Sequence, residues 1–346
     1  MKNLVIAYTD LPWAIGPEGR VDPNLAVVER RVFGEHVELR FGHAENGQYE
    51  LAGPQLLRAV SGADALVVYR LGITEEVLDA VGANLKVVGR QGVGIDNLAP
   101  KLLQSRGIIG INVPDYCVDE VVTHTMALAL ALERQLIAQH QGLAAGKFNI
   151  YAGGVPRRLR NATAGILGFG RIGRALCTRL REFYGKVLAC DPYVDADLMV
   201  AYGAEKVDLD TLLSQSDLLS LHCLLNDETR GLVDASALAK MKKSAYLVNA
   251  ARGALVNGKA LYEALAEQRI AGAAIDVFSP EDPHRDPWYS KVTRLPNVVV
   301  TSHRAFLSSD SEASLRRRTS EAVRGVLMTG QPPVTGNVTG SLPPAS

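Results

Sequence analysis

Two successive series of short apolar runs constrain the fold of this chain most strongly. In each series, runs such as ADALVVYR alternate with amphipathic segments such as TEEVLDAVG. This alternation predicts βα units, in which parallel strands form a sheet and helices cover its faces. A second series begins at Thr163 and restarts the pattern, with TAGILGFG as its first strand. The chain is therefore predicted to be an α/β protein with two parallel-sheet domains.

The two series also indicate where the domains end. We place the second domain at residues 118–306, after a helix start that is marked by Pro114 and Asp115. Residues 307–330 are predicted to form one more helix. The last segment, residues 331–346, is rich in Pro, Gly, Ser and Thr and is predicted to be a disordered tail.

The composition argues against partners that are bound mainly through charge. The chain has 37 Lys plus Arg residues and 37 Asp plus Glu residues, so its formal net charge is +0. Neither a nucleic acid nor a membrane surface is therefore an expected partner. The longest apolar helical stretch, VVTHTMALALALE, is too short to span a bilayer.

Cysteine usage and the first residues of the chain indicate a reducing compartment. The 4 cysteines form no CxxC pair, so we expect buried thiols. The start, MKNLVIAYTD, lacks the features of a signal peptide and is predicted to form the first strand, which makes a cytoplasmic location the expectation. No group of His, Cys, Asp and Glu has metal-ligand spacing, so no metal site is predicted.

A glycine-rich loop opens the second domain. Gly168, Gly170 and Gly173 form a GxGxxG motif between a predicted strand and a predicted helix. The first glycine permits a tight turn, the second lets the backbone approach a pyrophosphate, and the third allows the helix to pack closely on the strand. The helix start offers unpaired N–H groups to phosphates. Arg171 and Ile172 are further candidate cofactor contacts, with a solvated side chain as the alternative for Arg171.

An acidic residue completes this pattern. Asp191 stands at the end of the next apolar run, KVLAC, where its carboxylate can accept hydrogen bonds from the adenosine ribose hydroxyls. The same negative charge would repel a 2′-phosphate, so NAD is the predicted cofactor and not NADP. His222 ends the strand LLSLH near the expected adenosine position, and a purely structural histidine is the alternative there. Ala250, which follows LVN, completes the predicted cofactor-binding set.

Three polar residues follow strands of the second domain and together suffice for hydride-transfer chemistry. Arg252 follows AYLVNA, Glu281 lies beyond AAIDVF, and His303 follows NVVVTS. In open α/β sheets, ligands bind at the carboxyl ends of the strands. A histidine can exchange a proton with a hydroxyl, a carboxylate can orient the ring, and an arginine can hold a substrate carboxylate. These three residues are the predicted catalytic set for interconversion of a 2-hydroxy acid and a 2-oxo acid.

Several longer motifs carry a resemblance to a known family. They are GRQGVGIDNL, NVPDYCVDEVVTH, GILGFGRIGRALC, LVNAARGALVN, AAIDVFSPEDP and NVVVTSH. In order and spacing they resemble those of the D-isomer-specific 2-hydroxyacid dehydrogenases, and the resemblance extends over residues 1–330. Within that family, NVPDYCVDEV and HRAFLSSDSEASL are most similar to the branch of the C-terminal-binding proteins and the bacterial phosphoglycerate and hydroxypyruvate-type dehydrogenases.

The resemblance implies a specific architecture. We expect two Rossmann-like, doubly wound parallel-sheet domains with the active site in the cleft between them. The first, a flavodoxin-like substrate-binding domain, would comprise residues 1–117 plus 307–330. The second, residues 118–306, would be the NAD-binding Rossmann domain. The expected assembly is a homodimer joined through the cofactor domains.

The resemblance also assigns roles to single residues. It implies that Asp276 lies near the nicotinamide carboxamide, and that backbone amides around Val93 and Gly94 help to bind the substrate carboxylate. Arg70 ends the strand ADALVVYR, and Arg304 directly follows the catalytic histidine. These two cations suggest a small anionic substrate with a second anionic group, such as a phosphonate, phosphate or carboxylate. The alternative for Arg304 is a solvated side chain or a pair with a helix acid.

Two other functions are compatible with the same motifs. One is an NAD(H)-sensing, protein-binding module of the corepressor type, which would need an exposed apolar groove for a peptide. The other is oxidation of a small phosphorus or one-carbon oxyanion by the same residues. An NAD-dependent dehydrogenase or reductase of a D-2-hydroxy acid and its 2-oxo acid is the function that we predict.

Overall fold

The computed structural model describes residues 4–340, and these residues form two compact units. The first unit contains the described residues up to Tyr116 together with those from Ser308 onward. The second unit is Cys117–Leu307. Each boundary between the units lies one residue away from the position expected from the sequence.

Strands and helices alternate along both units. The first unit contains β1 Leu4–Tyr8, α1 Val27–Phe33, β2 Val37–Phe41, β3 Ala44–Glu45, β4 Gln48–Tyr49, α2 Pro54–Val60, β5 Ala65–Val68, α3 Glu75–Val81, β6 Val87–Arg90, α4 Pro100–Ser105 and β7 Ile109–Ile111. The second unit contains α5 Val118–Glu133, α6 Leu136–Ala144, β8 Thr163–Leu167, α7 Arg171–Phe183, β9 Lys186–Cys190, α8 Ala196–Tyr202, β10 Glu205–Lys206, α9 Leu209–Gln215, β11 Leu218–Leu221, α10 Ala235–Lys240, β12 Tyr246–Asn249, α11 Gly258–Ala266, β13 Gly272–Ile275, α12 Tyr289–Val292 and β14 Val298–Val300. The chain then returns to the first unit with α13 Ser309–Thr329.

The sheet of the first unit has five parallel strands in the order β2-β1-β5-β6-β7. This is the flavodoxin-like order, with a small β3-β4 hairpin outside the sheet. Helix α13 packs against β6, where Gly89 lies opposite Val323 and Thr319 of the helix. A side chain at position 89 would come within 2.9 Å of Val323, so the close packing of helix and sheet requires a glycine here.

Part of the segment that the sequence predicts to be a disordered tail is ordered against β7. Asn337 forms an antiparallel bridge with Ile111, and the Val338 N–H donates to the Gly110 carbonyl at 2.8 Å. Thr339 is buried, and its Oγ1 accepts from the Gly110 N–H at 3.2 Å. An edge strand presents unpaired N–H and C=O groups, and this segment satisfies those of β7. The rest of the predicted tail, residues 341–346, lies outside the described residues.

The sheet of the second unit has seven parallel strands in the order β10-β9-β8-β11-β12-β13-β14. Apolar residues fill both faces: Leu218 and Val248 belong to the core on one side, and Leu219 and Leu247 to the core on the other. Buried on both faces, these strands are near-continuous apolar runs. The predicted fold class of two doubly wound parallel sheets is thereby confirmed.

Short polar residues fix the starts of several helices in the second unit. Asp208, Asp234 and Asn257 each accept a hydrogen bond from a backbone N–H in the first turn of α9, α10 and α11, respectively. Such N-caps satisfy donors that a helix start otherwise leaves unpaired. Across residues 4–340, no helix is long and apolar enough to cross a membrane.

Candidate active site

The carboxyl ends of six strands lie in one row across the sheet of the second unit. The pairing register aligns their last residues, which are Cys190, Leu167, Leu221, Asn249, Ile275 and Val300. The loops that leave these strands therefore start from the same edge. The predicted site residues of this unit follow them along the chain: Gly168, Gly170, Arg171, Ile172, Gly173, Asp191, His222, Ala250, Arg252, Asp276, Glu281, His303 and Arg304.

The three glycines of the loop after β8 occupy three different environments. Gly168 has φ +94°, and a Cβ atom there would overlap the backbone at Cys223. A Cβ atom at Gly173 would overlap the carbonyl oxygen of Gly168. A Cβ atom at Gly170 would meet nothing within 4 Å. The first and third glycines are thus needed for close packing, while the second borders open space where a pyrophosphate can approach.

Helix α7 begins directly at this open position, with Gly170 as its N-cap. Arg171 is exposed at the first helical residue, so its side chain is available to a phosphate or to solvent. Ile172 is half-buried and packs against the core. The helix extends for 13 residues, and its first N–H groups and positive dipole end favour an anion at this point.

A cavity of about 800 Å³ lies beside the glycine loop. Its wall includes Gly168, Gly170, Asp191, His222 and Leu224. The volume is in the range of small-molecule and cofactor sites. The loop, the open position at Gly170 and this cavity therefore fit a bound dinucleotide.

The thiols divide between the core and this cavity. Cys117 and Cys177 are buried as expected, whereas Cys190 and Cys223 are half-buried and line the cavity. Burial raises the pKa of the Cys223 thiol to about 11. Cys223 is therefore a neutral thiol at pH 7.

Asp191 joins the glycine loop to the end of β9. Its Oδ2 accepts from the Phe169 N–H at 2.8 Å, and its Oδ1 accepts from the Tyr193 N–H at 3.0 Å. Sequence reasoning assigned Asp191 to the adenosine ribose and missed these internal bonds. A carboxylate offers about four acceptor directions, so both roles are compatible.

His222 contributes a neutral wall to the cavity. Its Nε2 lies 2.7 Å from Ser220 Oγ, and burial lowers the pKa of the imidazole to about 4. The ring is therefore uncharged at pH 7. Ala250 is half-buried immediately after β12, on the same edge of the sheet.

His303 and Glu281 form a direct pair. The Nδ1 atom of His303 lies 2.8 Å from Oε1 and 2.9 Å from Oε2 of Glu281. The His303 side chain is 17% exposed. A carboxylate at Nδ1 holds the proton on that nitrogen and leaves Nε2 to exchange a proton with a ligand.

Arg252 lies in a turn that Asn249 holds. The Nδ2 of Asn249 donates to the Arg252 carbonyl at 2.9 Å, and its Oδ1 accepts from the Ala251 N–H at 3.1 Å. Nη1 of Arg252 donates to the Ala251 carbonyl at 2.8 Å. The guanidinium is half-buried at the same strand edge as the histidine pair, where a substrate carboxylate can be held.

Asp276 anchors the loop that carries His303. The carbonyl of Asp276 accepts from the His303 N–H at 2.7 Å. Its carboxylate accepts from the N–H groups of Arg304 and Ala305 at 3.0 and 2.9 Å, and from Thr301 Oγ1 at 2.5 Å. Its side chain is fully buried. Its expected contact with the nicotinamide carboxamide stays a prediction, whereas these bonds give it a role inside the chain that the sequence did not reveal.

The hydrogen bonds to Asp276 also determine its charge. Burial raises the pKa of this carboxyl, but the nearby His124 and the hydrogen bonds from Thr301 and the two backbone amides lower it by more, so that the pKa is about 2. His124 Nε2 lies 3.0 Å from Thr301 Oγ1 and 3.6 Å from the Asp276 carboxylate. The anchor is therefore an ionised carboxylate at neutral pH.

The anchored loop holds its histidine in an unusual backbone conformation. His303 has φ +54°, in the left-handed region that residues other than glycine rarely adopt. Such a conformation persists only when the surrounding structure determines it. Here the bonds to Asp276 on consecutive residues supply that constraint. Arg304, the next residue, has an exposed side chain.

The remaining predicted residues, Arg70, Val93 and Gly94, belong to the first unit. Arg70 is exposed in the loop after β5. Val93 and Gly94 follow β6, and the Val93 carbonyl accepts from Asn112 Nδ2 at 2.6 Å. The structure describes no group of three or more His, Cys, Asp or Glu side chains between residues 4 and 340 that could hold a metal ion.

Comparison with known proteins adds the family. Residues 126–305 match the family model described as D-isomer specific 2-hydroxyacid dehydrogenase, NAD binding domain. This match lies within the second unit and supports NAD as the cofactor of the chain.

Individual relatives extend the similarity beyond that domain. The chain is 35% identical over 291 residues to the D-3-phosphoglycerate dehydrogenase of Methanocaldococcus jannaschii. This alignment covers 82% of this chain and 54% of that relative. It is 34% identical over 284 residues to the hydroxypyruvate reductase of Thermotoga maritima, which covers 82% of this chain and 88% of that relative. The chain thus spans about half the length of the first relative and most of the second.

A solved structure shows the same fold over nearly the full length. The D-lactate dehydrogenase of Aquifex aeolicus, complexed with NAD and lactic acid, has a TM-score of 0.84 at 25% identity. The alignment covers 97% of this chain and 99% of that one. With the family match and these relatives, the chain belongs to the D-isomer specific 2-hydroxyacid dehydrogenase family.

Proposed function

We propose that this protein is an NAD-dependent dehydrogenase or reductase that interconverts a D-2-hydroxy acid and its 2-oxo acid. The observation that carries the proposal is the His303–Glu281 pair at the same sheet edge as the glycine loop. Relatives named phosphoglycerate dehydrogenase, hydroxypyruvate reductase and lactate dehydrogenase support the same class of substrate.

The chain's own residues divide the work of this reaction. A bound nicotinamide cofactor would supply the hydride chemistry at the substrate C2 carbon, as acceptor in the oxidised form and as donor in the reduced form. The Nε2 of His303 takes the hydroxyl proton during oxidation and donates it to the carbonyl oxygen during reduction. Glu281 holds Nδ1 and stabilises the imidazolium that forms. Arg252 binds the substrate carboxylate and polarises the neighbouring carbonyl.

The cofactor would be held mainly by the glycine loop and the cavity beside it. Gly170 leaves room for the pyrophosphate, and the α7 start supplies N–H donors. Asp191 would accept bonds from the ribose hydroxyls and disfavour a 2′-phosphate. Arg171, Ile172, His222, Ala250 and Asp276 complete the proposed cofactor-binding set.

The proposed substrate is a small anion. The amides around Val93 and Gly94 would share the substrate carboxylate with Arg252. Arg70 and Arg304, both exposed, would favour a second anionic group on the substrate, such as a phosphonate, phosphate or carboxylate.

The first test is a substrate screen that follows NADH absorbance. Monoanionic 2-oxo acids (glyoxylate, pyruvate, hydroxypyruvate) are compared with dianionic ones (phosphonopyruvate, oxaloacetate, 2-oxoglutarate), with His303→Ala as the control. Turnover that the control abolishes supports the proposal, and faster turnover of the dianions supports the second anion site. No turnover with NADH binding intact would contradict the proposal and favour a nucleotide sensor or a phosphorus or one-carbon oxyanion as substrate.

A second copy of this chain is the proposed partner. Helix α6 and the segment after it expose several large apolar side chains, including Leu143, Phe148, Ile150 and Val155. Phe148 is 87% exposed and Val155 is 80% exposed. Large apolar side chains that are exposed within one short segment favour a protein interface there. Light scattering should give the mass of a homodimer, and Phe148→Asp should shift it toward the monomer. A native monomer would contradict the assignment.

A cytoplasmic location stays a prediction.

A further inference from the structure

The loop after β5, residues 69–71, has its amide groups bound to one buried carboxylate. The N–H groups of Tyr69, Arg70 and Leu71 donate to Asp10 at 2.9, 2.5 and 2.9 Å, respectively. Asp10 lies two residues after β1 and is 4% exposed. Because β1 and β5 are neighbours in the sheet, this side chain connects the end of one strand to the loop after the next.

The carbonyl groups of the same loop are held by an amide. Asn97 Nδ2 donates to the carbonyls of Tyr69 and Leu71 at 3.2 and 2.9 Å. Asn97 Oδ1 in turn accepts from Nε of Arg90 at 3.1 Å. Arg90 is the last residue of β6 and is buried. The main chain around Arg70 is therefore fixed by side chains from two other segments.

The group that this arrangement leaves exposed is the Arg70 side chain. Its guanidinium carbon lies 5.3 Å from the centre of the Tyr69 ring. A surface loop can satisfy its amides with water, whereas a buried carboxylate is unfavourable unless hydrogen bonds compensate it. The arrangement also reaches the proposed carboxylate-binding loop, because Val93 and Gly94 lie between Arg90 and Asn97 along the chain.

We propose that Asp10 and Asn97 are positioning residues that fix Arg70 for recognition of a second anionic group on the substrate. This inference rests on the proposed function. A fixed backbone lowers the conformational entropy that the loop loses when Arg70 binds an anion. It also fixes the position of Arg70, and therefore the distance between its guanidinium and the second anionic group, on which their Coulomb attraction depends. Loss of either positioning residue should therefore weaken binding of dianionic substrates selectively.

The chain offers a matched control in Asp64. This carboxylate is also 4% exposed and also accepts a backbone N–H, from Val5 at 2.9 Å, but it stands before β5 at the opposite end of the strand. We expect Asp10→Asn to raise KM for oxaloacetate about tenfold, with a small effect on KM for pyruvate. Asp64→Asn should lower the melting temperature similarly and leave the ratio of the two KM values unchanged. The conservative variant Asp10→Glu should recover part of the ratio.

A double-mutant cycle tests whether Asp10 acts through Arg70. In the Arg70→Met background, Asp10→Asn should add no further increase in KM for oxaloacetate, because the interaction is already lost. An equal increase in both backgrounds would overturn the inference. So would an Asp10→Asn effect of the same size on oxaloacetate and pyruvate.

Amide hydrogen exchange separates this inference from the proposed function. With NADH present, peptides covering residues 69–71 should exchange faster in Asp10→Asn than in Asp64→Asn. Equal exchange in the two variants would overturn the positioning role, whatever the activity. Failure of the native protein to turn over any 2-oxo acid, with the exchange difference present, would reject the proposed function and the substrate role of Arg70 while retaining the structural role of Asp10.

Discussion

The two units use the same local arrangement at the carboxyl edges of their sheets, but they place different chemistry on it. In the first unit, Asp10 follows β1 and binds the amides after β5. In the second unit, Asp276 follows β13 and binds the amides after β14. In each case the two strands are neighbours. The first loop presents an exposed arginine, and the second presents the histidine that pairs with Glu281.

The difference between the two loops lies in what the aspartate must hold. His303 has φ +54°, whereas residues 69–71 all have negative φ angles. The Asp276 carboxylate also accepts a hydrogen bond from the Thr301 hydroxyl, and Nε2 of His124 lies 3.6 Å from it. A strained residue needs more constraint than a regular loop. Under the proposed function, an aspartate-anchored loop would serve substrate recognition in the first unit and proton transfer in the second.

The largest effect is expected when the proposed proton carrier of the second unit is removed. His303→Ala should lower kcat about 10²- to 10⁴-fold, because the variant lacks the imidazole Nε2 that is proposed to exchange the proton. Steady-state kinetics with NADH measures this loss. His222→Asn is the matched control: His222 is neutral and lines the cofactor cavity, so this variant should change KM for NADH more than kcat. Comparable kcat losses in the two histidine variants would contradict the assignment.

The second prediction compares the two aspartates directly. Asp276→Asn should lower kcat about ten- to a hundredfold, because the amide cannot accept from all the donors that hold the His303 loop. Asp10→Asn should leave kcat nearly unchanged and act on KM. Steady-state kinetics of both variants with one dianionic substrate measures kcat and KM separately. If both variants lower kcat and leave KM unchanged, the proposed division between substrate recognition in the first unit and catalysis in the second is wrong.

The third prediction uses the charge of Asp276. Its pKa in the folded protein is about 2, below the ordinary value of 3.8. The unfolded chain therefore binds the proton first as pH falls, and this carboxylate stabilises the fold by about 2 kcal/mol above pH 4. That contribution should disappear between about pH 4 and pH 2. Urea unfolding across this range measures it. Asp276→Asn should show a flatter pH dependence than the native protein, and identical slopes would disprove the linkage.

The smallest expected effect separates packing from cofactor binding within the second unit. Gly170→Ala places a methyl group in open space, so it should preserve the melting temperature and weaken NADH binding up to about tenfold. Gly173→Ala forces a methyl group against the Gly168 carbonyl and should destabilise the fold by about 1–3 kcal/mol. Thermal melting and NADH titration distinguish the two variants. A loss of stability in Gly170→Ala would show that the second glycine also has a packing role.

Features with a local cause could be predicted from the sequence. Apolar periodicity is written into each strand and helix, so the two parallel sheets were predictable. His303 and Glu281 were identifiable because they follow strands of the second unit, and ligands bind at the carboxyl ends of the strands in such sheets. Both belong to one edge of one sheet, and the structure brings them within 2.8 Å.

Features that depend on distant partners could not be predicted. Asp10 binds amides about sixty residues further along the chain, and Asn249 and Thr301 act through turns whose shape the sequence does not state. The sequence shows that a polar residue follows each of these strands. It does not show which loop that residue will bind, because this depends on the order of the strands in the folded sheet. Residues 336–340 were misjudged for the same reason, since their composition does not show the open edge of β7 that they cover.

The return of α13 to the first unit has a consequence for biosynthesis. Helix α13 follows the whole second unit along the chain, yet it packs on β6 through the contact at Gly89. As the ribosome extends the chain, the first sheet emerges early and must wait for this helix, while the second unit emerges as one continuous segment. Domains generally fold as units during synthesis. The second unit should therefore reach its native state first, and the first unit should be the one that chaperones meet incomplete.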